Sequence, residues 1–401
     1  MRILCVFGRH NYGDPARGEG YEYSNFLPAL RNLGHEVELF DSFSRLPYSD
    51  FAALNKALLE SVESFRPDVV FCVLMGYEIW LETLGLIRAT GAYLINWGTD
   101  DSWKYDQFSR FVAPAFDLWE TTSSAASRAS QRDGHGNFVL TQWAASASRL
   151  AEPLPACDCR FLVSFIGSAY GNRPRWVAEL KQRGIEVACF GHGWPSGPVA
   201  AEDIPRIVRE SVVSLNFGDS GLQFRGFRHY RSRQIKARVF EVPGAGGCLL
   251  TEAAEHLEDY FKLGNEIEVF SGIDELAEKL RFLLAHPEHR DAMAWAGYRR
   301  TQTEHTYEAR FGALLNLLPT KSEPIAPINF VAFDTIANHH HIGNSARLLC
   351  AIFVVPFRLL WGGHRGPRAA RRFLFELSWR LFGRHTYTAA GWPGRWFYRE
   401  S

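Results

Sequence analysis

The sequence lacks most of the features that would place it outside ordinary globular enzymes. Its 401 residues carry no net formal charge, with 44 Lys+Arg against 44 Asp+Glu. That balance hides an acidic body and a basic tail, which suggests an anionic contact for the tail, a membrane surface or a polyanion; no nucleic acid is expected as a partner. Cysteine is sparse: seven residues, an odd number, mostly inside apolar runs, with Cys157 and Cys159 as the only close pair. This excludes a disulfide framework and gives a metal site no second cluster. The first apolar run is not followed by G-x-G-x-x-G, which disfavours a dinucleotide oxidoreductase. The chain opens directly on MRILCVF, with no basic region or small-residue cleavage site before it. A cytoplasmic location is therefore the expectation.

What is present reads as two domains. The composition is 46% hydrophobic and 22% charged, and a chain of this length exceeds one ordinary core. Short apolar runs at 2–8, 68–74 and 93–96 alternate with helically spaced segments at 21–33, 51–65 and 78–89. Uninterrupted apolar strands between amphipathic helices indicate a parallel sheet covered on both faces. Residues 146–160 contain Pro153 and Pro155 and small side chains, and read as a linker. Beyond it the alternation resumes, with strands expected at 161–166, 186–190 and 213–216 and helices at 175–183, 204–210 and 234–241. The expected fold is α/β: two facing doubly wound Rossmann-like domains over 1–145 and 161–318, followed by a tail over 319–401.

Ligands of such sheets sit outside the carboxyl ends of the strands. The loops after Phe7, Leu74, Asn96, Ile166, Phe190 and Asn216 are therefore the candidates. The first, GRHNYGDPARGEG, holds His10. NWGTDDSWK places Asp100 and Asp101 at a strand end, where one of them is equally suited to cap the following helix. GSAYGNR runs from Gly167 to Arg173, an arginine at a helix start. Gly191, His192 and Trp194 belong to GHGW, and residues 218–233 contain Arg225, Arg228, Arg231 and Arg233. Glycine admits close backbone approach, and a helix N-terminus beside an arginine suits a phosphate.

At KARVFEVPGAGGCLLTE, residues 236–252, the chain resembles the CgeB-like branch of the group 1 glycosyltransferases, whose fold is GT-B. The resemblance extends through YFKLGNEIEVFSGIDEL, HPEHRDAMAWAGYRR and HTYEAR, and more loosely to NWGTDD, AFDLWETT and TQWAA in the first half. It implies a glycosyltransferase of the hexosyltransferase type that uses a nucleoside-diphosphate sugar as donor. Glu241, a carboxylate before a small-residue loop containing Gly246 and Gly247, stands where the family binds the ribose hydroxyls; two vicinal hydroxyls suit one carboxylate. Arg173, Lys236 and Arg238 become candidates for the diphosphate, with Arg238 alternatively pairing Glu241 along the helix. Trp194 is a candidate to stack on the base. Asp100 or Asp101, with His10 behind them, would supply a general base for an inverting reaction; a retaining enzyme, the open alternative, would rely instead on leaving-group stabilisation and substrate positioning.

One departure is clear. The family often carries another Glu eight residues before the ribose carboxylate, and Arg233 stands there. No DxD motif is visible, so metal independence is expected, with no cofactor beyond the donor. The tail is distinctive: from residue 320 onward there are 11 Lys+Arg and 4 Asp+Glu. Residues 346–361 are apolar but shorter than the roughly 20 residues of a bilayer span, and an arginine- and aromatic-rich stretch follows. Such a segment suits a membrane interface, the favoured reading, with a helical appendage packed on the body or a partner-binding segment as the alternatives. Interfacial attachment would fit a glycan or lipid-linked acceptor. A sugar-nucleotide epimerase of the same fold and a non-catalytic sugar-nucleotide-binding protein are the competing expectations.

Overall fold

The computed structural model describes residues 1–225, 228–319 and 326–400, with side chains described for all of these except 219–225, 228–232, 344 and 345. The chain divides into two compact units, one formed by Met1–Thr141 with Asn316–Ser401, the other by Gln142–Leu315.

The first unit is built on six parallel strands: β1 Arg2–Phe7, β2 Glu36–Asp41, β3 Val69–Cys72, β4 Tyr93–Gly98, β5 Leu118–Thr121 and β6 Phe138–Leu140. Their order in the sheet is β2-β1-β3-β4-β5-β6. The central strands are buried because their residues are apolar on both faces; Ile3 pairs Val37 on one side and Val69 on the other. The helix Phe51–Phe65 shows how local sequence sets an element. The Asp50 side chain accepts the Ala53 amide at 2.9 Å, and Leu54, Leu58, Leu59 and Val62 form the buried face. Arg66 ends the helix in a left-handed conformation, φ +48°.

The second unit holds five parallel strands in the order β13-β12-β9-β7-β8: β7 Phe161–Ile166, β8 Ala188–Phe190, β9 Ser211–Asn216, β12 Leu249–Glu252 and β13 Glu268–Phe270. An antiparallel hairpin, β10 Asp219–Arg225 and β11 Arg228–Arg233, intervenes after β9. It occupies the stretch expected to be a polar loop. The side chains of Arg225, Arg228 and Arg231 lie outside the described residues. The segment expected to be a linker is held against this unit instead: Ala151 donates to the Gly244 carbonyl at 3.0 Å, and Ala156 to Asp291 at 3.0 Å. Arg290, fully buried, donates to the carbonyls of Val212 (2.6 Å), Ser211 (2.8 Å) and Leu154 (2.7 Å). A guanidinium so placed gives donors to three backbone carbonyls drawn from two segments of the unit.

The tail belongs to the first unit. Phe333, on the helix Phe330–His339, stacks on Trp80 at 6.0 Å. The long helical stretch Asn344–Phe382 is broken at Gly362, φ +78° and ψ 171°. The two arms fold back on each other, with Phe357 and Phe373 ring centroids 5.6 Å apart. Beyond them Tyr398 meets Phe51 edge-on at 4.8 Å, and Tyr387 donates to the Gln107 carbonyl.

Candidate functional site

In the second unit the chain leaves β7 for β8 on one side and later for β9 on the other, so the switch point lies between β7 and β9. The loops at the carboxyl ends of β7 and β8 are closed by short contacts. The Gly167 amide donates to the Phe190 carbonyl at 2.7 Å, and Ala169 donates to His192 at 2.8 Å. Gly191 adopts φ +132°, and a Cβ there would stand 2.5 Å from the Gly167 oxygen. Only glycine permits that approach. Trp194 donates its indole N–H to the same Gly167 oxygen at 2.7 Å and meets Phe165 edge-on at 6.1 Å. The indole proposed to stack on a base is thus also a strut between the two loops.

Two arginines converge on this loop from different elements. A Cβ built on Gly167 would lie 3.4 Å from Arg238 Nη1 and 3.5 Å from Arg173 Nη1. Arg173 opens the helix Arg173–Gln182 and is 6% exposed. It donates to the carbonyls of Ser168 (3.0 Å) and Phe217 (3.4 Å) and to the Tyr170 hydroxyl (3.1 Å), while its guanidinium lies 4.0 Å from the Tyr170 ring centre. A small depression lies here, lined by Tyr170, Gly171, Asn172, Arg173, Trp176, Phe217 and Glu252. The positive end of a ten-residue helix and a guanidinium at its first residue make this edge favourable to an anion. Asn216, at the end of β9, donates to the Thr251 hydroxyl at 2.9 Å, while its buried Oδ1 has no hydrogen-bond partner among the described residues.

Glu252 is the residue that sequence reasoning missed. It ends β12 at the same edge, 5% exposed, and accepts the Gly218 amide at 3.0 Å. Arg233 Nε lies 3.0 Å from its other oxygen, and Arg233 also donates to the Ser271 carbonyl at 3.0 Å. The arginine in place of an expected carboxylate therefore neutralises a carboxylate from another strand. The signal was available, because GCLLTE places a Glu at the end of an apolar strand.

The remaining candidates of this unit are sorted by the helix Arg238–Gly244. Its first turn carries Arg238 and Glu241, with Lys236 just before it. Glu241 is half-buried, and Lys236 donates to the Gln234 side chain. Gly246 and Gly247 follow the other end of the helix, at the start of β12, and are corrected to packing positions. A Cβ on Gly246 would stand 2.6 Å from the Ala151 oxygen, and one on Gly247 2.6 Å from Val208 Cγ1. Both are buried against protein atoms on the edge of the sheet away from the switch point. His192 is exposed beside Gly191.

The first unit places His10 after β1 and Asp100 after β4, both at the carboxyl edge of its sheet. Asp100 is 38% exposed and forms an ion pair with Lys104 at 3.4 Å. Asp101 is corrected from base to scaffold: it is 3% exposed, accepts the Trp119 indole at 3.0 Å and the Ser109 hydroxyl, and makes no helix cap. Burial raises its pKa, with the Ser109, Trp119 and Thr121 hydrogen bonds acting against that rise. A carboxylate this buried and enclosed by its own donors is out of reach of an acceptor hydroxyl. Glu22, at the start of the helix Tyr21–Asn32, also has a raised pKa, chiefly from burial and in part from the charge of Asp100.

Comparison with known proteins extends this picture. The family described as glycosyl transferase-like matches residues 173–316, almost all of the second unit beyond β7. No curated protein matches the chain in sequence. Among solved structures the chain is similar to the Anabaena protein Alr3699/HepE, determined in complex with UDP. The TM-score is 0.52 at 11% identity, over 79% of this chain and 100% of that one. It is likewise similar to the lipopolysaccharide outer core galactosyltransferase WaaB, with TM-score 0.51 and 13% identity over 79% and 100% of the two chains. Sucrose-phosphate synthase from Thermosynechococcus elongatus gives TM-score 0.51 and 11% identity over 79% and 99%. At such identities the likeness is one of fold. The two parallel sheets of six and five strands with flanking helices are those of the GT-B glycosyltransferases.

Proposed function

We propose that this chain is a glycosyltransferase that moves a sugar from a nucleoside-diphosphate sugar to an acceptor hydroxyl. The observation that carries the reading is the convergence of Arg173 and Arg238 on Gly167 at the switch point. Two guanidinium groups and a helix N-terminus suit a diphosphate in the ground state. They suit it better as negative charge develops on the leaving nucleotide. Glu241, on the same helix turn as Arg238, is the proposed ribose ligand. The glycosyl transferase-like match over 173–316 and the UDP complex of a protein of similar fold support the donor class.

Finer assignments belong to the same proposal. The chain is read as a CgeB-like, metal-independent, hexosyl-transferring member of this fold, working in the cytoplasm on a lipid-linked or cell-surface glycan precursor. Its C-terminal segment is read as the membrane contact. Asp100, half-exposed beside His10's edge of the first sheet, is the proposed general base. The Arg233–Glu252 pair favours one second reading, in which the chain binds a sugar nucleotide without transferring the sugar, because the donor-side carboxylate there is neutralised.

Nucleoside diphosphate release from a panel of nucleotide sugars, with and without candidate glycan acceptors, tests the proposal. Acceptor-dependent release is the expected result. Thermal stabilisation by a nucleoside diphosphate without turnover would establish the second reading. A Glu241→Ala variant that binds the nucleotide sugar as tightly as the parent would remove the ribose assignment.

A further inference from the structure

We infer that the first arm of the C-terminal hairpin lies in the plane of an anionic lipid leaflet. The hairpin is then a one-sided anchor rather than a membrane span. This inference rests on the reading above only for its purpose, since it deepens the proposed membrane contact of the transferase.

The stretch 346–387 is long and apolar enough by composition to cross a bilayer, and 6% of its most apolar window is buried. Its geometry rules out a crossing. The left-handed break at Gly362 divides it, and a Cβ on Gly366 would lie 2.6 Å from Arg358 Cα, which marks a tight reversal. The first arm is then about 25 Å long at 1.5 Å per residue, short of a full hydrocarbon core. The second arm brings Arg365, Arg368, Arg371 and Arg372 within three turns of the reversal. Four such charges at the buried end of a spanning hairpin are too costly.

An in-plane orientation follows from which face is covered. The first arm packs on the second through Cys350, Phe353, Val354 and Phe357, where Val354, Ala370, Leu374 and Phe397 form a small core. The opposite face carries Leu348, Leu349, Ile352, Val355, Leu359 and Leu360, between 49% and 82% exposed. Arg347 and Arg358 are exposed and eleven residues apart, about three helical turns, so they flank this stripe on one side. An apolar face bordered by arginine, within a segment of ten Lys+Arg and two Asp+Glu over 346–400, complements acyl chains below and anionic headgroups beside them.

The test is flotation of the full chain with vesicles of phosphatidylcholine alone and of phosphatidylcholine mixed with phosphatidylglycerol. Binding is expected to be about tenfold or more stronger to the anionic vesicles, and to weaken with salt. Arg347→Gln/Arg358→Gln is expected to remove most of that preference. Leu359→Asp/Leu360→Asp is expected to lower binding to the anionic vesicles by about a hundredfold. Both leucines point outward, so the fold is retained, and nucleoside diphosphate binding in the same preparations checks it. Equal binding to the two vesicle types, or binding unchanged in the aspartate variant, overturns the inference. So does a dimer that Leu359→Asp dissociates while vesicles recruit nothing, which would make the face a contact with a second copy. Flotation without any nucleotide binding would leave the anchor standing and sink the transferase reading.

Discussion

Arg238→Gln is the perturbation that isolates the proposed diphosphate site most cleanly. Arg173 also holds the Ser168 and Phe217 carbonyls, so its removal would disturb the loop as well as the ligand. Arg238 approaches Gly167 from the half-buried start of its helix. A hydrogen bond from a guanidinium to a phosphate is worth about 1.5–3 kcal/mol. At 1.4 kcal/mol per decade, the variant should bind a nucleoside diphosphate about 10- to 150-fold more weakly. The corresponding nucleoside has no phosphate to lose, so its affinity should change by less than about twofold on the same grounds. Calorimetric titration with the tightest-binding nucleoside diphosphate and with its nucleoside reads both numbers. The melting temperature without ligand should be unaltered. Equal losses for nucleoside and nucleoside diphosphate, or no loss for either, would refute the placement of the phosphates between the two arginines.

Gly191→Ala should destabilise the second unit by about 2–4 kcal/mol, combining positive-φ strain with the collision against the Gly167 oxygen. It should weaken nucleotide binding in parallel, measurable by urea unfolding and titration. Arg290→Met removes the guanidinium donor from three backbone carbonyls, two of them in buried contacts, and should cost about 3–5 kcal/mol in urea unfolding; a cost under about 1 kcal/mol would show that water or a shifted backbone replaces it. His305 is buried, with Nε2 2.8 Å from the Tyr260 oxygen and Nδ1 3.0 Å from Arg310, and burial lowers its pKa to about 4. Its ordinary value is 6.5, so above that both folded and unfolded states are neutral and its contribution to stability is complete. As pH falls from 6.5 toward 4 only the unfolded state gains the proton, and about 3 kcal/mol is lost before the effect levels off. Urea midpoints at several pH values should show this slope in the parent and a shallower one in His305→Gln; identical slopes would contradict it.

The legible parts of this chain were those where one physical signal dominates. Ile3–Phe7 is apolar at every position and Phe161–Ile166 at every position but Ser164, as suits parallel strands covered on both faces, and both are strands. The strand pair 219–225 and 228–233 was not legible. Its glycines and arginines give neither apolar alternation nor an Asn-Gly turn signal. Gly246 and Gly247 misled for another reason. A glycine pair after a carboxylate looks like a ligand loop, but two turns of helix carry it to the other edge of the sheet. Asp100 and Asp101 are indistinguishable as adjacent letters; only the Trp119 indole and Ser109 hydroxyl, brought from 18 and 8 residues away, separate the buried one from the accessible one. Glu252 went unassigned because its meaning depends on Arg233 across a chain reversal.

The division of the first unit between the two ends of the chain bears on how the protein is made. Its core includes Phe51 and Phe333, and it is closed by Tyr387 and Tyr398. A nascent chain emerging from a ribosome would therefore expose part of that core while some 250 further residues are added. At 5–20 residues per second this is on the order of 10–50 s. The second unit, contiguous from 142 to 315, can fold during that interval. Synthesis order and folding order are thus inverted: the unit that starts first finishes last. A truncation that removes only the final strip from Tyr387 onward should be felt in the amino-terminal half of the molecule.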